Sequence, residues 1–266
     1  ERNGRKRRPG VPTHRTGTAQ VRLPLARGGR PRYNGVMERQ GLIIFVKAPG
    51  AATVKSRLAK AIGEEKARML YRHFVADILE TMGRGPFDIR LFFYPPDQHK
   101  SMAAWLGHDR PCEPQEGNDL GERMDHAFRK DFAEGYDSLL LIGSDLPDLP
   151  ASIVEAVFAA LKTVVCVIGP AEDGGYYLIG FRAAAFLPDA FRDISWGTSS
   201  VCENTCSIIR EKGLRLSLLP HWRDIDTIED LRAFAASRNG KSPAGTGTIR
   251  FIKDEKLLDS LDGNAT

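Results

Sequence analysis

The stretch LLLIGSDLPDLP, residues 139–150, runs a block of aliphatic side chains into two aspartates three positions apart. An aliphatic run bounded by Gly143 and Pro147 reads as a fully buried strand, which places Asp145 where that strand leaves its sheet. Open α/β sheets bind ligands at such strand ends. A carboxylate there has no hydrophobic reason to exist, and a hard cation such as Mg²⁺ or Mn²⁺ is typically held by one or two carboxylates plus substrate phosphate oxygens. Asp145 is the better ligand candidate, whereas Asp148 either caps the following helix or is solvated.

Four further stretches sit at the ends of predicted strands. KAPGAATVKSRL (47–58) offers backbone N–H groups and the cations Lys47, Lys55 and Arg57, with Pro49 and Gly50, to a phosphate-bearing ligand, although it lacks the P-loop pattern. The alternative is a flexible loop with solvated lysines. GNDLGERM (117–124) brackets Asn118 and Asp119 between Gly117 and Gly121. It is either a turn with Asp119 as helix N-cap, or a segment that sets Asn118 against a nucleobase or ribose. In GPAEDGGYYLIG (169–180), Gly174 and Gly175 after Asp173 permit close backbone approach to a bound group and equally suit a tight hairpin. In RDIDTIEDL (223–231), Asp226 is either a capping-region acid or a second carboxylate for the same cation.

The elements that must position these residues alternate between strand and helix. Strands are expected at 41–48, 88–94, 138–143, 164–170, 174–181 and 214–220. Helices are expected at 64–82, 100–107, 122–134, 151–162, 199–213 and 227–240, the last capped by Thr227. The segment 47–63 reads as loop. This alternation implies an α/β fold with a mainly parallel, right-handed doubly wound sheet. Three regions follow: a basic tail over 1–36 of disordered type, one domain over 37–240, and a polar extension over 241–266 whose IRFIKDEKLLDSL docks as a short strand or helix.

The net charge of +4 is unevenly spread: residues 1–36 hold ten Lys and Arg against one acid, so the remainder is acidic. The tail is rich in Gly, Pro and Arg and lacks apolar periodicity. Met37 is the expected natural start, and mass spectrometry of the endogenous chain tests that. An acidic body without interleaved aromatic and basic motifs argues against nucleic-acid binding. No apolar segment is long enough to span a bilayer, which makes a soluble cytoplasmic protein the expectation. Cys112, Cys166, Cys202 and Cys206 lack metal-site spacing and are read as free thiols.

In this order, GSDLPDL, GPAEDGGYYLIG and DIDTIEDL resemble the bacterial DUF2064 family, grouped with glycosyltransferases related to GT-A nucleotide-diphospho-sugar transferases and, more distantly, to guanylyltransferases. The resemblance runs from about Leu42 to Phe234. It implies a Rossmann-like GT-A three-layer sandwich, nucleotide binding through the first loop and GNDLG, and Asp145 and Asp226 in the places of two acidic metal ligands. Two departures stand out: the family's Pro-Gly pair in the first loop is Ala51–Ala52, and its W-S-T is Trp196, Gly197 and Thr198.

The function expected from these residues is a metal-dependent glycosyltransferase using a nucleotide-sugar donor with Mg²⁺ or Mn²⁺ and a small-molecule acceptor. Lys55 and Arg57 would position phosphates. Asp173 would bind the acceptor or act as general base, with Gly174, Gly175, Tyr176, Trp196 and Thr198 around the acceptor or sugar; Tyr176 and Trp196 equally suit core packing. The alternatives are a nucleotidyltransferase releasing pyrophosphate from a nucleoside triphosphate, and a nucleotide-binding module without catalysis.

Overall fold

The computed structural model describes residues 32–33, 36–49, 54–237 and 244–258. Among them the chain order is β1 (Arg32–Tyr33), β2 (Val36–Met37), β3 (Gln40–Lys47), α1 (Ser56–Ile62), α2 (Glu64–Met82), β4 (Asp88–Tyr94), α3 (His99–Leu106) and β5 (Cys112–Pro114). It continues through α4 (Leu120–Ala133), β6 (Ser138–Ile142), α5 (Ala151–Ala160), β7 (Cys166–Pro170), β8 (Tyr176–Arg182), α6 (Val201–Glu211), β9 (Leu216–Leu218), α7 (Ile228–Ser237) and α8 (Thr246–Asp254). The expectation of disorder over 1–36 falls largely outside the described residues; at its end β1 and β2 pair as a short antiparallel ladder. No helix among the described residues is long and apolar enough to cross a membrane.

Seven strands form one sheet in the order β5-β4-β3-β6-β8-β7-β9. All pairings are parallel except those of β8 with β6 and β7. The central strands are buried on both faces because their side chains alternate between two apolar layers. Leu42, Ile44 and Val46 of β3 point into a layer shared with α1, α2, α3, α5, α7 and α8. Ile43 and Phe45 point the other way, toward α4, α6 and the 3₁₀ turns around Phe191. The result is the Rossmann-like GT-A three-layer sandwich, with a mainly parallel sheet.

The hairpin reading of Asp173–Gly175 is realised, one expected loop is corrected to a helix, and one strand was not anticipated. β8 runs antiparallel because Asp173–Gly175 closes a tight turn between it and β7, so the chain returns beside β7 without a crossover helix. The segment 56–62, read as loop, is α1; it has seven residues and one buried side chain, Leu58, too little for a periodic signal. β5 has three residues ending in Pro114, and among the described residues it pairs with β4 alone, which makes it a sheet edge with little sequence signature. Of the C-terminal segment, Thr246–Asp254 is helix, while 241–243 and 259–266 lie outside the described residues. Buried Asp77 of α2 accepts from the backbone N–H groups of Gly247 and Thr248 at 2.9 and 2.7 Å and from Thr248 Oγ1 at 2.6 Å, fixing the first turn of α8.

Candidate active site

β3 and β6 are neighbours, yet the chain leaves β3 toward one side of the sheet and β6 toward the other. Ligands of open α/β sheets bind where strand order reverses in this way. Tyr71 of α2 clamps the two strand ends: Lys47 N–H donates to its hydroxyl at 2.7 Å, and that hydroxyl lies 2.7 Å from Ser144 Oγ. Tyr71 is fully buried, so Tyr71→Phe strands a backbone donor. Its expected cost is about 1–3 kcal/mol, read as a lower urea midpoint at unchanged slope.

Past β6, Asp145 turns its carboxylate to Lys55 Nζ at 2.9 Å, and Asp226 reaches the same nitrogen at 2.5 Å. Asp226 arrives by a second route. After β9 the chain runs on beside the end of β7, bridging Trp222 to Ala171, and Ile225 N–H then donates to Asp145 carbonyl at 3.1 Å. Extended backbone alternates, so burying Ile225 puts Asp224 and Asp226 together on the opposite side. Asp230 accepts from the N–H groups of Asp226 and Thr227, while Thr227 Oγ1 accepts from Asp230 N–H. That reciprocal cap fixes Asp226 just ahead of α7.

The Lys55 side chain is 3% exposed, and its backbone stands at φ 58°, ψ 52°, a left-handed conformation that a residue with a Cβ enters at a cost. Burial alone would lower its pKa, but Asp145 and Asp226 outweigh burial and hold it above the ordinary value. For Asp226 burial pushes upward, while Lys55, with Lys47 and Arg57 behind it, pulls the carboxyl below its usual range. Asp224 makes no ion pair of its own among the described residues. Burial and then Asp145, joined by Asp173 and Asp226 and opposed by Lys55, push it up to about 7.

Two carboxylates thus converge on one buried cation, with Asp224 and, beyond it, Asp173 close enough to act by charge. The oxygens of Asp145 and Asp226 meet at a single point, that of Nζ. Two convergent carboxylates suit a divalent cation completed by phosphate oxygens. Among the described residues no group of three or more His, Cys, Asp or Glu is arranged to hold a metal unaided.

The other expected site residues divide into two groups. Lys47 and Arg57 are exposed beside the acidic cluster, Pro49 is buried, and Gly50 lies outside the described residues. Asp173 accepts from Gly175 N–H at 2.9 Å within the hairpin turn, and its charge reaches Asp224. Gly174 is required there: its φ is +88°, a Cβ would lie 2.1 Å from Ser199 carbonyl oxygen, and its own carbonyl accepts from Cys202 N–H. The turn is thereby tied to the segment bearing Trp196 and Thr198, the latter hydrogen-bonded to Ser195 carbonyl and Ser200 Oγ.

The remaining residues are engaged within the protein. Asn118 donates from backbone and side chain to Glu122, and Asp119 caps α4 by accepting from Glu122 N–H. A Cβ on Gly121 would meet Phe191 carbonyl at 2.3 Å and the Trp196 ring at 2.8 Å. Tyr176 packs edge-on against Trp196, and burial pushes its phenol well above its ordinary range. Asp148 accepts from Trp222 Nε1 at 3.1 Å, and Pro150 occupies the cap position of α5. All four cysteines are free.

Asp224 was missed by the sequence reading, although the D-x-D spacing carried its signal. Lys55 was read either as a cation for phosphate or as a solvated loop lysine; it is buried against two carboxylates.

Two curated relatives match most of the chain. A phosphoenolpyruvate guanylyltransferase from Sphaerobacter thermophilus is 27% identical over 212 residues, 77% of this chain and 96% of the relative. A 3-phospho-D-glycerate guanylyltransferase from Phenylobacterium zucineum is 27% identical over 220 residues, 78% and 93% respectively. The crystal structure of a "putative nucleotide-diphospho-sugar transferase" from Desulfovibrio desulfuricans G20 is 39% identical, covers 85% of this chain and 99% of that one, and superposes with a TM-score of 0.79. All three are transferases by name, and this chain is an enzyme of the same class. The family model described as "Uncharacterized protein conserved in bacteria (DUF2064)" matches residues 78–198, and with the 39% identical relative spanned almost end to end, the chain belongs to the DUF2064 family.

Proposed function

We propose that the protein is a metal-dependent nucleotidyltransferase, moving a nucleotidyl group from a nucleoside triphosphate to a small phosphorylated acceptor and releasing pyrophosphate. The observation that carries this reading is the convergence of Asp145 and Asp226 on one point at the ends of β3 and β6, flanked by Lys47 and Arg57. The names of the two curated relatives support this reaction over the sugar transfer first expected, and make GTP the donor to try first.

Asp145 and Asp226 would hold Mg²⁺ or Mn²⁺, which supplies charge neutralisation to the triphosphate when bound. Lys47 and Arg57, exposed beside Asp226, orient the phosphates. An acceptor phosphate oxygen attacks the α-phosphorus, a new P–O bond forms, and the bond to the bridging oxygen of the β-phosphate breaks as pyrophosphate departs. The nucleophile is already anionic at neutral pH, so no side chain need remove a proton from it. Asp173 is left to orient the acceptor from the hairpin turn.

Glycosyl transfer remains the second reading, favoured by the name of the 39% identical structure. There the attacking group is a neutral hydroxyl, and Asp173 is the candidate base. Incubation with Mg²⁺ or Mn²⁺, GTP or a nucleotide-sugar panel, and phosphorylated acids such as phosphoenolpyruvate and 3-phosphoglycerate distinguishes the two. Acceptor-dependent pyrophosphate is the expected product. Nucleoside diphosphate without pyrophosphate would overturn the first reading in favour of the second.

A further inference from the structure

We infer that the Lys55 ammonium is the resident counter-cation of the Asp145–Asp226 pair, and that a divalent ion enters only by taking its place. The inference rests on the metal-dependent reading above. Nζ occupies the point on which the two carboxylates converge, at 2.9 and 2.5 Å from their oxygens. A magnesium ion needs those oxygens at about 2.0–2.1 Å, so ammonium and metal exclude each other there.

The surroundings support exchange. Lys55 lies on the short connection between β3 and α1 in a left-handed conformation, and its ammonium lies 6.0 Å from the centre of the Phe74 ring, which offers it no hydrogen-bond acceptor. A side chain with four methylenes can carry its charge out of the pair toward a phosphate without moving α1. Lys47 and Arg57 already act on Asp226 by charge, so the bound phosphates would be met by three cations once Lys55 is displaced. Without a nucleotide the ammonium keeps two carboxylates from repelling each other; with a nucleotide it has a second anion to serve. Metal entry and phosphate binding therefore favour one another through a single side chain, a coupling of two ligands in the thermodynamic sense.

The test is Mn²⁺ binding to nucleotide-free protein, followed by electron paramagnetic resonance, for the wild type and for Lys55→Met, which keeps the apolar stem and deletes the charge. The variant is expected to bind Mn²⁺ at least about tenfold more tightly, and Asp145→Asn in the same background is expected to abolish the gain. A folded Lys55→Met protein with the wild-type Mn²⁺ affinity overturns the inference. Should the variant be unfolded in chelator, millimolar Mn²⁺ is expected to restore its native melting transition, and failure to do so overturns the inference equally. The pyrophosphate assay on the wild type is independent of both outcomes. Turnover with unchanged Mn²⁺ affinity sinks only the role of Lys55, whereas tighter binding with no product from any donor sinks the transferase reading and leaves the exchange standing.

Discussion

Asparagine at position 145 is expected to slow acceptor-dependent pyrophosphate release on the order of a thousandfold, equivalent to about 4 kcal/mol of lost transition-state stabilisation. The substitution preserves shape and removes one charge. Asp145 and Asp226 differ in how far they are withdrawn from water: the Asp145 side chain is 27% exposed and follows a fully buried strand, whereas Asp226 is 49% exposed on a connecting segment. The less solvated carboxylate at the strand end is the one whose loss should be felt most. The fold should survive, because Lys55 keeps Asp226 at 2.5 Å and the backbone bond from Ile225 to Asp145 does not involve the side chain. A melting temperature within a few degrees of wild type, measured beside the initial rates, separates lost chemistry from lost structure. Activity above about a tenth of wild type would remove Asp145 from the catalytic centre. Nucleotide binding unchanged by the substitution, with no turnover by either protein, would point to a binding module.

How much of this was legible depended on the range of the interaction. The central strands could be read because each is a short aliphatic block with turn residues at its ends, and Asp145 because a charge ending such a block needs a non-hydrophobic explanation. Asp119 as a cap and Thr227 with Asp230 were also legible, since capping acts within four residues. The direction of β8 was not, because Asp-Gly-Gly serves both as a hairpin turn and as a ligand loop, and here the turn decides the topology. The pairing of Lys55 with Asp226 spans 171 positions. No local pattern reports it, and the same lysine in a basic loop naturally suggests a phosphate. Tyr71 falls within the helix expected over 64–82, but that its hydroxyl joins Lys47 to Ser144 depends on two strands lying side by side.

At the opposite end of β4, away from the chemistry, Asp131→Ala is expected to destabilise the protein by about 3 kcal/mol. Arg90 donates to both oxygens of Asp131, from Nε at 3.1 Å and from Nη2 at 2.8 Å, and also pairs with Glu113 at 3.0 Å and Glu134 at 2.8 Å. Asp131 is wholly buried and the Arg90 side chain 19% exposed, whereas both glutamates reach solvent. Burial pushes the Asp131 carboxyl above its ordinary pKa, while that carboxylate, against burial, raises the Arg90 guanidinium; a buried pair of this kind repays little more than its own desolvation. Removing one partner is a different operation, because it leaves a guanidinium largely out of water with its best acceptor gone. For a chain of this size the loss corresponds to a fall in melting temperature of roughly 6–12 °C. Replacing both members, Arg90→Met with Asp131→Leu, should therefore cost less than Asp131→Ala alone, since the freed Glu113 and Glu134 can be solvated. Urea titrations of Arg90→Met, Asp131→Leu and the double variant measure the coupling directly. If the double variant loses the sum of the single losses, the two charges act independently and the pair has no role in holding α4 to the sheet.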